Sequence, residues 1–186
     1  MPAETLLTSL LVAQGAIGGV DTLLNHELIE RLPRRVEARR EIGLHAMREA
    51  LYAALFVGLG WFQWHGAASL AIAVVFVLEI GVDCIDEWTE NRTRVLPQNE
   101  RVLHMFLILN LGAIAVAFAL VLPDWHAQPT ALVFHHRGWS SWLLLALGAA
   151  AAGWSVRDFI AWRRLGYRPP PLTNSSDARK TSRSFS

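Results

Sequence analysis

The sequence predicts an all-α, polytopic membrane protein with five transmembrane helices. The first four form a four-helix bundle of two repeated hairpins, and the fifth stands beside them. Three observations predict this. The chain of 186 residues is 53% hydrophobic and only 18% charged, where a soluble domain carries about a quarter charged residues. Its apolar residues fall into five runs, each long enough for a hydrocarbon core that takes about 20 residues to cross. Its charges gather at one end of those runs. The formal net charge of +1 is too small for the basic field that nucleic acid requires, so no nucleic-acid partner is expected. The one cysteine, Cys84, excludes a disulfide framework and a cysteine-rich zinc site.

The first run extends from about Leu6 to His26. It lacks a basic leader and a clean small-residue cleavage site, and is expected to be a span rather than a signal peptide. The second extends from His45 to Trp64, the third from Ser69 to about Glu87, the fourth from His104 to Leu122 and the fifth from Trp142 to Trp162. Residues 1–168 thus make one transmembrane domain, with hairpins over about 6–64 and 69–122 and the fifth helix over about 140–166. Residues 169–186 open on Pro169-Pro170-Pro171 and continue rich in Ser, Thr, Arg and Lys, the composition of a disordered tail.

Orientation follows from the bases. Of 17 Lys and Arg, all but Arg137 fall in the 31–48 stretch, the 92–101 stretch or from Arg157 onward. The positive-inside rule places the amino terminus outside and the carboxyl terminus in the cytoplasm. Trp61, Trp64, Trp125, Trp139 and Trp142 cluster toward the outer helix ends, as an interfacial aromatic belt does. Sixteen arginines to one lysine is the composition of a high-GC bacterium, so the expected location is a bacterial inner membrane.

The acids are as one-sided as the bases. Asp21, Glu27, Glu30, Glu37, Glu41 and Glu49 belong to the first hairpin, and Glu79, Asp83, Asp86, Glu87, Glu90 and Glu100 to the second. Glu79, Asp83, Asp86 and Glu90 recur at i, i+4, i+7 and i+11, one stripe of a helix turning about 100° per residue. Glu37, Glu41, His45, Arg48 and Tyr52 make a second stripe, with Glu49 beside it. Glu79 lies about ten residues beyond Ser69, about 15 Å along the helix axis. A carboxylate at that depth costs at least a few kcal/mol and usually marks function.

The acids also repeat. Glu41-x-x-Leu44-His45 and Glu100-x-x-Leu103-His104 share one pattern, and each follows a break at Pro33 or Pro97. Each break follows an acidic helix end, Asp21 to Glu30 in one case and Asp83 to Glu90 in the other. Both breaks lie on one side, so the repeat is parallel, and paired hairpins bring equivalent ligand sets to one interface.

Acidic helices alternating with Glu/His helices resemble, over residues 20–105, the ligand pattern of ferritin-like di-iron carboxylate proteins. Those proteins space Glu and His by two residues, whereas three intervene here; both spacings keep the pair on one helix face. The resemblance implies a di-iron site, and the oxygen-rich donors also suit manganese or zinc. The runs from Asn25 to Pro33 and from Glu41 to Glu49, with the stretch from Arg92 to His104, resemble a family of bacterial multi-pass integral membrane proteins. That likeness implies the membrane fold and carries no activity over.

The expected metal ligands are Glu27, Glu41, His45, Asp83, Glu87, Glu100 and His104. Asp21, His26, Glu49, Glu79, Asp86, Arg48 and Tyr52 surround them or serve as alternative ligands. Glu30, Glu37 and Glu90, close to the loops, read as solvated partners of the arginines; Asp158 reads as an ion-pair partner of Arg157 and Cys84 as a packing residue. His65, His126, His135 and His136 read as surface residues of the outer side. The expected chemistry is an oxidoreductase acting on a lipid-soluble substrate that enters from the bilayer, with a redox partner. Three other readings stay open: a proton or divalent-cation transporter using the acid stripe, a b-type haem protein with axial ligands among His45, His104 and His26, and a non-enzymatic scaffold. No phosphate loop, Ser/His/Asp arrangement or dinucleotide fingerprint is present.

Overall fold

The computed structural model describes residues 3–93 and 95–166. The expected tail over 169–186 lies outside the described residues. Among the described residues the fold is all-helical apart from one two-stranded ribbon, and five helices are long and apolar enough to cross a membrane.

Helix α1 (Ala3–Asp21) runs on without a break into a π-helical segment, Thr22–Ile29. That segment ends on the bond from Glu30 N–H to the Asn25 carbonyl (2.8 Å). Arg31 then turns the chain with a left-handed backbone, φ 52°, a conformation uncommon outside glycine, Asn and Asp. A 3₁₀ turn, Leu32–Arg34, follows with Pro33 inside it. Leu32 anchors this reversal, buried with Ala38, Ile42 and Leu165.

Helix α2 (Arg39–Trp61) starts two residues later than the acidic stripe predicts, leaving Glu37 in an exposed turn. It also ends before Trp64, because the chain becomes strand β1, Phe62–His65. Strand β1 pairs antiparallel with β2 (Ala131–Phe134), Phe62 opposite Phe134 and His65 opposite Ala131. Between β1 and the next helix, Gly66 has φ +54°, and a Cβ there would lie 2.6 Å from Thr130 backbone. No L side chain fits. Helices α3 (Ala68–Thr93), α4 (Gln98–His126) and α5 (Trp139–Gly166) complete the described residues.

Packing differs from two closed hairpins. Helix α1 lies along α4 and α2 lies along α3, while α1 and α2, and likewise α3 and α4, scarcely touch. The open hairpins interlock. Helix α5 covers α2 over its length and also reaches α1. Glycines permit that approach: a Cβ on Gly60 would lie 2.9 Å from Leu144, and one on Gly148 2.9 Å from Val57. Small residues play this part wherever apolar helices meet without a hydrophobic driving force.

The interior divides by height. Toward the ribbon it is apolar, built from Leu7, Leu11, Leu55, Leu59, Phe76, Ile114, Phe118 and Leu144. Toward the proline breaks it is polar, with Asp21, Asn25, His26, Glu41, His45, Asp86, Glu90, Glu100 and His104 all buried. The outer faces carry exposed Val77, Leu78, Leu109, Val116, Leu120 and Val156. Near the ribbon Trp61 meets Trp142 edge-on at 5.1 Å. Trp125 is no belt residue: it is buried and its indole N–H donates to Glu4 (2.9 Å), which also receives Gln63 and Arg137.

Candidate metal centre

Each helix delivers its polar residues by its own periodicity. On α2 and α4 the pairs Glu41/His45 and Glu100/His104 are one turn apart and face inward, and on α3 Asp86 and Glu90 do the same. On α1 the geometry is less ordinary. Five residues of α-helix advance about 140° around the axis, which would turn His26 away from Asp21. The wider π winding brings it back, to 3.5 Å between His26 Nε2 and Asp21 Oδ2. Asn25 donates to Asp21 (2.7 Å) and accepts from Asn99 of α4 (2.5 Å), fixing the carboxylate.

The two hairpins exchange partners. Asp21 of the first lies 3.3 Å from His104 Nε2 of the second, and Asp86 of the second lies 3.2 Å from His45 Nε2 of the first. His26 Nε2 reaches Glu100 at 3.5 Å. Glu90 stands between both sets, 3.3 Å from His45 Nε2 and 3.4 Å from His104 Nδ1. The imidazoles of His26 and His45 stack at 4.4 Å, 9° from parallel.

Donor atoms close enough to share an ion fall into two buried groups: His26, Glu90, Glu100 and His104 form one, and Glu41, His45 and Glu90 the other. Glu90 belongs to both. Asp21, Glu41, Asp86, Glu90 and Glu100 are each at most 1% exposed, a density of carboxylates that repels itself unless cations are held among them. Asp21 Oδ2, His26 Nε2 and His104 Nε2 make no hydrogen bond although buried side by side. Such atoms cost stability in a dry interior and are satisfied by a coordinated cation. His104 Nδ1 meanwhile faces Glu87 at 3.0 Å, the arrangement that orients a ligating imidazole. Mixed carboxylate and imidazole donors suit iron, manganese or zinc.

Of the expected ligands, Glu41, His45, Glu100 and His104 stand in these groups. Three others do not. Glu27 is turned away by the π winding and pairs with Arg157, which also holds Asp158. Asp83 is held by Arg48 (3.4 Å), whose Nη1 also donates to Asp86 at 2.8 Å. Glu87 sits at the rim, its side chain 37% exposed, bonded to His104 and Asn91. Among the alternatives, His26 is a member of one group, and Asp21 and Asp86 touch its histidines and those of the other. Glu49 lies toward α5, and Glu79 is fully buried beside Tyr52.

Glu90 corrects the expectation of a solvated partner: it is fully buried at the centre, whereas Glu30 does pair with Arg35 (2.6 Å) and Glu37 is exposed. Its position on the Glu79–Asp83–Asp86 stripe was the signal. Asn25, Asn99 and Asn110 also escaped sequence reasoning. Asn110 donates to Gln14 (2.7 Å) and Gln14 to Tyr52 (2.8 Å), a short polar chain above Glu79. Cys84 is exposed, on the wall of a groove of about 670 Å³ between α3 and α4 whose residues include Glu87, Trp88, Ile108 and Leu111.

Comparison with protein-family models, curated proteins and solved structures finds no match, and the site stands on its own geometry.

Proposed function

We propose that the chain is an integral membrane protein with a binuclear metal centre near the cytoplasmic face, serving redox chemistry on a lipid-soluble substrate. The observation that carries this reading is Glu90, common to two buried donor groups that each contain a Glu/His pair one turn apart. His26, Glu100 and His104 would hold one ion, Glu41 and His45 the other, with Glu90 between them. Iron or manganese bound there would supply electron exchange. The protein's own part is to pack like charges together, to orient His104 through Glu87, and to exclude water with a buried shell.

Membrane embedding is supported by five apolar helices whose outer faces remain apolar. With the bases at the proline breaks, the positive-inside rule places that end in the cytoplasm and the ribbon outside. A hydrophobic substrate is supported by the groove between α3 and α4, which opens from the apolar flank toward Glu87. The haem reading is disfavoured for the His26/His45 pair by their stacking, which leaves no plane for a macrocycle between them, and for His104 by the carboxylates of Asp21, Glu87 and Glu90 packed against its ring. The transport reading has one observation behind it, the Asn110–Gln14–Tyr52 chain. That chain ends on the Leu10 carbonyl, and in the leucine-rich interior beyond it Thr8 is already bonded to its own helix.

Metal analysis of the detergent-purified chain tests the proposal. The wild type is expected to retain iron, manganese or zinc, and His45→Ala with His104→Ala to lose it. Metal-free wild type, or a metal content unchanged by the double substitution, overturns the reading.

A further inference from the structure

Where the first hairpin turns, Arg31, Arg34, Arg35, Arg39 and Arg40 fall close together in the sequence. Arg35 is taken by Glu30 at 2.6 Å, and Arg39 lies over the Trp162 ring at 5.1 Å. Arg31 and Arg34 make no side-chain hydrogen bond or ion pair among the described residues. The 3₁₀ turn between them is closed by Arg34 N–H on the Arg31 carbonyl (3.0 Å), and winding of three residues per turn returns the chain to the same side. Both line one cavity of about 280 Å³, together with Glu27, Pro33 and Arg157, and both are exposed, so solutes reach them. Glu27, the acid among these five, is already held by Arg157, which also donates to Asp158. Three guanidiniums against Glu27 and Asp158 leave a positive surplus, concentrated on Arg31 and Arg34. Apolar residues flank the cavity on both sides. Leu28, 68% exposed, follows Glu27, and Val156, 60% exposed, precedes Arg157.

We infer that this cavity binds a phosphate group at Arg31 and Arg34, that of a phospholipid whose chains lie on Leu28 and Val156. A guanidinium presents paired N–H donors that match phosphate oxygens, and each such bond is charge-assisted. A phosphate between the two arginines also offsets the repulsion of neighbouring cations. Basic pockets at the cytoplasmic ends of membrane helices hold lipid headgroups on these terms. Arg157 is a positioning residue: by holding Glu27 it keeps that carboxylate off the two arginines, so the place of the phosphate stays open. Inorganic phosphate offers the same oxygens without chains, and the exposed apolar flanks favour the lipid. That those chains lie in a bilayer rests on the membrane reading. Capture of the phosphate rests on neither that reading nor the metal centre, none of whose grouped donors lines the cavity.

Native mass spectrometry of the full detergent-purified chain tests this with three ligands: dioleoylphosphatidate, dioleoylglycerol, which lacks the phosphate, and inorganic phosphate, which lacks the chains. Phosphatidate is expected to bind saturably, at least about ten-fold tighter than dioleoylglycerol, as a charge-assisted hydrogen bond gives. Arg31→Gln and Arg34→Gln, both at exposed positions that tolerate the change, each weaken it about ten-fold. Arg40→Gln makes the same charge change at an exposed site outside the cavity and leaves binding unchanged. Arg157→Gln weakens binding by releasing Glu27, and adding Glu27→Gln restores it. Equal affinity for dioleoylglycerol, or equal losses in Arg34→Gln and Arg40→Gln, overturns the inference. Displacement of phosphatidate by equimolar inorganic phosphate overturns the lipid assignment in favour of a soluble phosphate. Loss of binding when metal is stripped with chelator puts the phosphate on the ions and overturns the arginine site, while a metal-free wild type that still binds phosphatidate removes only the binuclear reading.

Discussion

Glu90 and Glu27 are both acids near a proline break, and their environments are opposite. Glu90 is fully buried between His45 and His104, while Glu27 is partly exposed and paired with Arg157. Removing a donor common to two groups weakens both, so Glu90→Ala is expected to lower the metal content of purified protein below one ion per chain. Glu27→Gln should leave metal content unchanged, because that carboxylate faces an arginine on α5. Equal loss in both variants, measured by metal analysis, would contradict the assignment. The difference was half legible in the sequence: the Glu79–Asp83–Asp86 stripe places Glu90 on the inward face, but nothing marks Glu27 as turned outward, and closeness to a loop is common to both. The Glu41/His45 and Glu100/His104 pairs were legible, because a four-residue spacing fixes a helix face whatever the tertiary structure.

At the scale of elements, the π segment decides whether α1 takes part. Periodicity at 100° per residue carries no sign of it, since a single π turn changes the winding without changing composition. Its consequence is the approach of His26 to Asp21 and Glu100. Deleting Leu24, an exposed residue within the segment, is expected to restore α winding and to leave His26 four residues after Asp21, about 40° around the axis and still on its face. The group containing His26 should then keep its ion, whereas His26→Ala should lose it and leave the Glu41/His45/Glu90 group its own. Metal content per folded chain falls by half in His26→Ala on this account; full retention, with helicity unchanged by circular dichroism, would mean that His26 is no ligand. The ribbon of β1 and β2 was equally hidden, because four-residue strands beside long apolar runs leave no period to count. The five long helices, by contrast, follow from length and hydropathy alone.

For the whole molecule, the separation of an apolar half from a polar half is the organising feature, and it follows directly from where the sequence places its charges. The arrangement of the helices does not. Hairpin repeats suggested neighbours in sequence as neighbours in space, yet α1 packs on α4 and α2 on α3, and the polar cluster fills the space between. The proposed topology predicts the accessibility of single cysteines in a Cys84→Ala background. Gln128→Cys, in the exposed segment before β2, should react with a membrane-impermeant maleimide on intact cells. Glu37→Cys, in the exposed turn before α2, should react only after permeabilisation. The reverse pattern would invert the protein and place the metal centre at the outer face. The central claim is that two ions share Glu90, and X-ray absorption at the metal edge of the loaded, purified chain tests it most directly. The account predicts a first shell of oxygen and nitrogen only, with a second metal at about 3.5–4 Å, and loss of that metal neighbour in Glu90→Ala. A shell containing sulfur, or a single ion with no metal neighbour in the wild type, would contradict it.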